Sequence, residues 1–163
     1  EMSVVQAVQN TSEARIYGFE AGLKMRLSKA LELNSQFTLT KGRQQNLQNE
    51  AVAVRHVAPA FGNLHMIWKH KKITIDGFLN YSGSLTFKDI SEELSSHLFA
   101  LDANGNPYAP SWATINLRTK YQLTNSLSFV GSIENISNQG YRPFASGISG
   151  PGTNLIFAIK YQK

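Results

Sequence analysis

The chain has no cysteine and no long apolar run. The first absence excludes a disulfide framework and a thiolate metal site. The second excludes membrane helices, which need roughly 18 or more consecutive apolar residues. It leaves open a membrane barrel, whose strands are apolar on one face only. Acidic residues are also in short supply, with 11 Asp and Glu against 16 Lys and Arg, for a net charge of +5. The basic residues are scattered, and the only run is Lys69-His70-Lys71-Lys72, which reads as a basic turn between strands. No stripe of arginines and aromatics accompanies it, so no nucleic-acid partner is expected.

Motifs that carry chemistry are missing too. Histidines 56, 65, 70 and 97 have no Glu or Cys at ligand spacing, and His65 reads as a solvated side chain on a polar face. Asp102-x-Asn104-x-Asn106 begins like a calcium loop, but Pro107 takes the place of the required glycine and Ala113 that of the bidentate glutamate. An Asx-rich turn is expected there instead. Gly147, Gly150 and Gly152 precede no helical pattern, so they form no phosphate cradle. No Gly-x-Ser-x-Gly nucleophile motif is present, and Glu20 and Glu134 lie on strands far apart in sequence. These carboxylates read as hydrated side chains bonding to Arg118 or Lys120. Neither enzymatic activity nor a cofactor is expected.

What the chain does have is alternation. Tyr17, Phe19, Ala21, Leu23, Met25 and Leu27 are apolar, and Gly18, Glu20, Gly22, Lys24 and Arg26 between them are small, polar or charged. The same period returns up to Leu155, Phe157, Ile159 and Tyr161. A repeat of two is a β-strand with one oily and one wet face. Hydrophobic residues make up 42% of the 163, enough for one domain rather than a disordered tail. Strands are predicted over 3–8, 15–27, 31–40, 61–69, 73–81, 112–123 and 127–136, with a last strand ending the chain. The polar stretch Lys41–Glu50 reads as a loop, and a short helix is expected within Ile90–Ala100.

The connections at 28–30, 70–72 and 124–126 are short, and those at 41–60, 82–111 and 137–152 are long. Apart from a brief turn near Thr11 they alternate, so the short ones share one end of an up-and-down sheet and the long ones the other. Bacterial outer-membrane barrels have this asymmetry, with short periplasmic turns and long external loops. Alternation alone leaves open which face is inside, since a soluble lipocalin-like barrel alternates as well. Two features point to apolar-out. Tyr17, Phe61, Tyr81 and Trp112 are expected to form an outer girdle, and Trp68, Tyr121 and Tyr161 an inner one. The polar face is rich in Asn, Gln, Ser, Thr and Gly, which suits a hydrated bore.

Several motifs then carry a resemblance. Glu13-Ala14-Arg15-Ile16-Tyr17-Gly18-Phe19-Glu20, Arg55 to Asn63 with its Arg-x-x-x-Pro-x-x-x-Asn spacing, Glu134-Asn135-Ile136-Ser137-Asn138-Gln139-Gly140-Tyr141 and Gly150-Pro151-Gly152-Thr153-Asn154 follow in order. In these the chain resembles the C-terminal barrel region of TonB-dependent outer-membrane receptors, plugged barrels of about 22 strands. Tyr161 stands where the family usually ends on an aromatic, but Gln162 and Lys163 follow it.

The expected fold class is therefore all-β, with about eight antiparallel up-and-down transmembrane barrel strands forming the C-terminal part of a larger barrel. Glu1-Met2-Ser3-Val4-Val5 has no leader pattern, so either a leader was removed or the chain is part of something longer, and the resemblance implies that residues 1–163 are a single C-terminal segment of a longer receptor. The resemblance implies a bacterial outer-membrane location and energy-coupled uptake of a scarce nutrient such as an iron-siderophore complex or a cobalamin. Its partners would be the lipid bilayer, a small-molecule nutrient or metal chelate, and a TonB-type coupling protein reached through a missing N-terminal region. Ligand contacts are expected in the long connections, at Phe99, Tyr108, Tyr141 and Arg142. Arg142 could grip an anionic chelate through its planar fork, or Tyr141 and Arg142 could pin their loop to the rim. The rivals are a self-sufficient eight-stranded outer-membrane barrel and a soluble lipocalin-like binder.

Overall fold

The computed structural model describes residues 13–46, 48–91 and 98–162. Its long strands are β1 (Ala14–Arg26), β2 (Leu31–Gln45), β4 (Phe61–His70), β5 (Ile73–Ser82), β8 (Trp112–Gln122), β9 (Leu127–Glu134) and β10 (Asn154–Tyr161). Short β3 (Ala51–Ala53) pairs with the end of β2, and β6 (Ala100–Leu101) and β7 (Pro107–Tyr108) form a separate hairpin. The main sheet runs β1-β2-β4-β5-β8-β9-β10, every pairing antiparallel. Among the described residues β1 and β10 do not pair with each other, and each has a strand partner on one side only. Among the described residues, no helix is long and apolar enough to cross a membrane.

The predicted strand over Ser3–Val8 lies outside the described residues, as do 92–97 of the predicted short helix. The helical turn that is described is 3-10, Phe87–Asp89.

β2 continues through Lys41–Gln45, where the sequence reads as loop. Of these, Lys41 to Gln44 pair with Tyr17 to Ala14 on one side, and Arg43 to Gln45 pair with β3 on the other. Lys41, Arg43, Gln44 and Gln45 are all polar, and a strand of polar residues shows no apolar period to read.

Two of the short turns repeat one design. In Leu27-Ser28-Lys29-Ala30 the Ser28 hydroxyl accepts the N–H groups of Ala30 and Leu31 at 3.2 and 3.1 Å. In Leu123-Thr124-Asn125-Ser126 the Thr124 hydroxyl accepts those of Ser126 and Leu127 at 3.2 and 3.1 Å. A hydroxyl at the first bend meets the amides that the turn leaves unpaired.

Burial along the strands inverts the soluble rule. On β8, Thr114 and Asn116 are 3% and 4% exposed, whereas Ile115 between them is 54% exposed. Ser128 and Ser132 are buried on β9 and Phe129 and Ile133 are exposed; Phe157 on β10 is 82% exposed. Polar side chains occupy the covered face and apolar ones the open face, as a hydrated bore and a lipid boundary require. This excludes the lipocalin-like arrangement, which needs the reverse.

Register also sorts the aromatics. Trp68 pairs with Leu31 and Ile75, Tyr121 with Ile73 and Phe129, and Tyr161 with Leu127, all on the apolar face at the short-turn end. Tyr17 and Tyr81 also share that face, at the opposite end. Phe61 and Trp112 do not. Phe61 pairs with Thr38 and Ser82, and Trp112 with Ser82, which puts both on the polar face. Position near a strand end suggested a girdle for these two, but their parity turns them inward.

Candidate ligand cleft and lumenal wall

The long connection after β9 is built around one residue. Asn135 adopts a positive φ of 51°, a conformation asparagine tolerates better than most residues. Its side-chain amide donates to the carbonyls of Gln139 and Pro151 at 2.9 and 3.0 Å, and its Oδ1 accepts the Gln139 N–H at 2.9 Å. Its own N–H donates to Asn116 Oδ1 at 2.8 Å, and its carbonyl accepts the Thr153 hydroxyl at 3.0 Å. Asn138 Oδ1 takes the Thr153 N–H at 3.1 Å. The loop is thereby tied at its base. Gly150 fits against Tyr141: a Cβ there would enter the ring, and Gly150 N–H donates to the Tyr141 carbonyl at 2.8 Å.

Above this base the loops share a small apolar core. Ile90, Phe99 and Ala109 are buried together, with Leu85, Leu98, Phe144 and Ala145 packed against them. Phe99 is 7% exposed and meets Phe144 with ring centroids 5.8 Å apart. The loop joining β5 to β8 is thus fastened to the loop joining β9 to β10. Arg43, on the rising end of β2, donates to the Lys88 carbonyl and to Asp89 Oδ1, both at 2.8 Å.

The four residues singled out in the sequence converge on one place. Phe99, Tyr108, Tyr141 and Arg142 all line a cleft of about 330 Å³, together with Pro143 and Phe144. Tyr141 also leans on Trp112 at the barrel rim, centroids 4.6 Å apart, so it fastens its loop as well as facing the cleft. Sequence reasoning did not find Phe144 or the Trp112 contact. Pro143 and Phe144 stand between the cleft and a recess in the upper bore lined by Thr38, Phe61, Asn63, Asn80 and Trp112.

Lower in the bore lies a polar ladder. His65 Nδ1 is 3.0 and 3.1 Å from the two Asp76 carboxylate oxygens, and its ring stacks on Phe78 at 4.9 Å. The Arg118 guanidinium lies 5.2 Å from the centre of the Phe78 ring and 3.7 Å from Glu134. His65, read as merely solvated, has a carboxylate partner across the strand pair. Glu134 meets Arg118 as expected. Among the described residues, no group of His, Asp and Glu could hold a metal ion. Asp102 is an Asx turn: its Oδ1 accepts the N–H groups of Asn104 and Asn106, each at 2.8 Å.

This is an inside-out wall with short turns at one end and a joined set of loops at the other, the signature of an outer-membrane barrel. The family model described as TonB dependent receptor-like, beta-barrel matches residues 3–136, and the chain belongs to that family of outer-membrane receptors. Solved structures show the same fold. The copper transporter OprC is 12% identical with a TM-score of 0.75, and 91% of this chain covers 24% of it. The FrpB iron transporter from Neisseria meningitidis is 14% identical with a TM-score of 0.68, covering 91% and 24%. The ferripyoverdine receptor of the outer membrane of Pseudomonas aeruginosa, bound to ferripyoverdine, is 18% identical with a TM-score of 0.59, covering 91% and 19%. The chain therefore spans about a quarter or less of these relatives. A search of the curated proteins finds no match.

Proposed function

We propose that this chain is a wall segment of a longer transport receptor that takes up a scarce nutrient, an iron-siderophore complex, a cobalamin or a related metal chelate. Energy would come from a TonB-type coupling protein acting through a plug region outside this segment. The observation that carries the reading is the cleft: Tyr108, Tyr141 and Arg142, from two separate loops, face one space, and Phe99 supports it from below. Aromatic faces suit the flat rings of a catecholate or a corrin, and a guanidinium suits an anionic chelate. Transporters and a siderophore receptor with this fold agree with it. Among the described residues β1 and β10 do not pair with each other, which favours a wall within a larger barrel over a small barrel closed on itself.

The test is ligand binding by the whole receptor, read through fluorescence of Trp112 beside Tyr141, with ferric catecholates, ferric hydroxamates and cyanocobalamin as probes. One probe is expected to quench and to bind about tenfold more weakly after Tyr108→Ala or Arg142→Gln, a loss near 1.4 kcal/mol. Tight binding of a probe that neither substitution weakens would remove the cleft from the reading. Binding of none of these chelates, with no growth defect of a receptor deletion on scarce iron or cobalamin, would remove the transport role itself.

A further inference from the structure

Cations gather at the short-turn end of the wall. Lys29 lies in the β1–β2 turn, Lys71 and Lys72 make the β4–β5 turn, and Arg26 and Lys69 end their strands beside them. The two turns are neighbours, because β2 pairs with β4 and the Lys69 N–H donates to the Ala30 carbonyl at 2.8 Å. The three short turns contain no acidic residue. Glu32, close by on the lumenal face, is already engaged by Lys69 at 3.0 Å and Arg26 at 3.8 Å. Lys72 Nζ donates to the Leu123 carbonyl at 2.8 Å. Lys29 and Lys71 are exposed, and neither forms an ion pair among the described residues. At the long-loop end Arg15 and Arg43 each have a carboxylate, Glu13 at 2.6 Å and Asp89 at 2.8 Å, while Lys41, Arg55 and Lys88 are exposed and form no ion pair among the described residues.

These turns adjoin the lower edge of the apolar face. His70 stacks on Trp68 on that face, centroids 5.6 Å apart and planes 12° apart. Tyr121 and Ile73 pair nearby. Amphipathic rings at the margin of a hydrocarbon band, with ammonium groups just beyond, match the depth profile of a phospholipid leaflet. The short turns face the periplasm, so the leaflet they meet is the inner one. Unpaired ammonium groups there attract anionic headgroups, each worth about 1 kcal/mol near a charged surface.

We propose that Lys29 and Lys71, set below the Trp68–His70 stack, hold the phosphate headgroups of anionic phospholipids in the inner leaflet of the outer membrane. Charge complementarity and continuity with the lipid-facing band select this occupant over an acidic periplasmic protein, which would need no aromatic rings at its margin.

The experiment places the whole receptor in nanodiscs of phosphatidylcholine containing a minority of phosphatidylglycerol. It reads the enrichment of phosphatidylglycerol among lipids retained on the protein by native mass spectrometry. Enrichment on the order of fivefold per lysine at low salt is expected, falling as salt rises. Lys29→Gln/Lys71→Gln should abolish it, Lys29→Gln alone should give an intermediate value, and Lys88→Gln at the opposite end should leave it intact. Heat-resistant migration on a gel checks that each variant is folded. No enrichment in the unaltered receptor, or enrichment that the double variant keeps, overturns the proposal.

Discussion

Asn116 Oδ1 accepts the backbone N–H of Asn135 at 2.8 Å, joining the middle of β8 to the first residue beyond β9. Asn135 is 2% exposed, and every polar atom of its side chain is engaged with the loop that carries Tyr141 and Arg142. Asn135→Ala should free this loop, because buried partners left unsatisfied cost about 1–3 kcal/mol. Asn135→Gly separates the two causes, since it keeps the positive φ and loses the side-chain bonds. Both variants are expected to speed proteolysis within 137–152 in the whole receptor, Gly less than Ala. A loop equally resistant in both would mean that the Asn135 bonds do not hold it.

Two lipid-facing glycines lie under aromatic rings. Gly131 is the cross-strand partner of Phe157, whose ring would lie 3.6 Å from an added Cβ. Gly62 pairs with Tyr81, and a Cβ there would run into the Gln36 backbone carbonyl and come within 2.7 Å of the Tyr81 phenol oxygen. Gly62→Val should push back both Tyr81 and the β2 backbone at Gln36 and cost about 1–3 kcal/mol, the usual range for overpacking. Gly131→Ala, in ordinary contact with Phe157, should cost far less. Urea midpoints of the receptor in vesicles measure both, and equal shifts would show that the crowding at Gly62 is relaxed at no cost.

The strands were legible because lipid on one side and water on the other impose a period of two on any sequence that lies between them. Where that constraint stops, so did the reading. Lys41–Gln45 is strand with no apolar face, and Phe61 and Trp112 needed the cross-strand register to be placed. His65 and Asp76 sit on adjacent strands but diagonally, a relation that no spacing along the chain announces. In the loops, Phe99, Tyr108, Tyr141 and Arg142 are candidates by residue type alone. That they face one cleft depends on Ile90, Ala109 and Phe144 packing across two connections, which no local pattern encodes.

The two faces of β8 should respond oppositely to charge. Leu117 faces lipid between Gly77 and Ile133, and Lys120 faces the bore between Thr74 and Val130. Leu117→Arg is expected to destabilise folding into vesicles by roughly 2–4 kcal/mol, the cost of arginine at the bilayer midplane. Lys120→Gln should change stability by less than about 0.5 kcal/mol, as exposed substitutions do. Similar costs at both positions would contradict the assignment of lipid and water to these faces.

Asp102 closes the tip between β6 and β7, the hairpin that carries Tyr108. The backbone N–H of Asn106, then that of Asn104 and the Asn106 side chain, hold its carboxyl below the ordinary carboxylate range. These donors favour the ionised form. The closure they add is therefore complete above the ordinary carboxylate pKa and is lost as pH falls through the depressed value. Amide exchange at Asn104 and Asn106, corrected for intrinsic rates, should be slow near neutrality and should quicken only in acid. Asp102→Asn keeps an acceptor and should remove the pH dependence, whereas Asp102→Ala should open the tip at every pH. Calcium is expected to leave all three profiles unchanged. Protection at the tip that ignores acid in the unaltered receptor would show that the carboxylate does not close the hairpin.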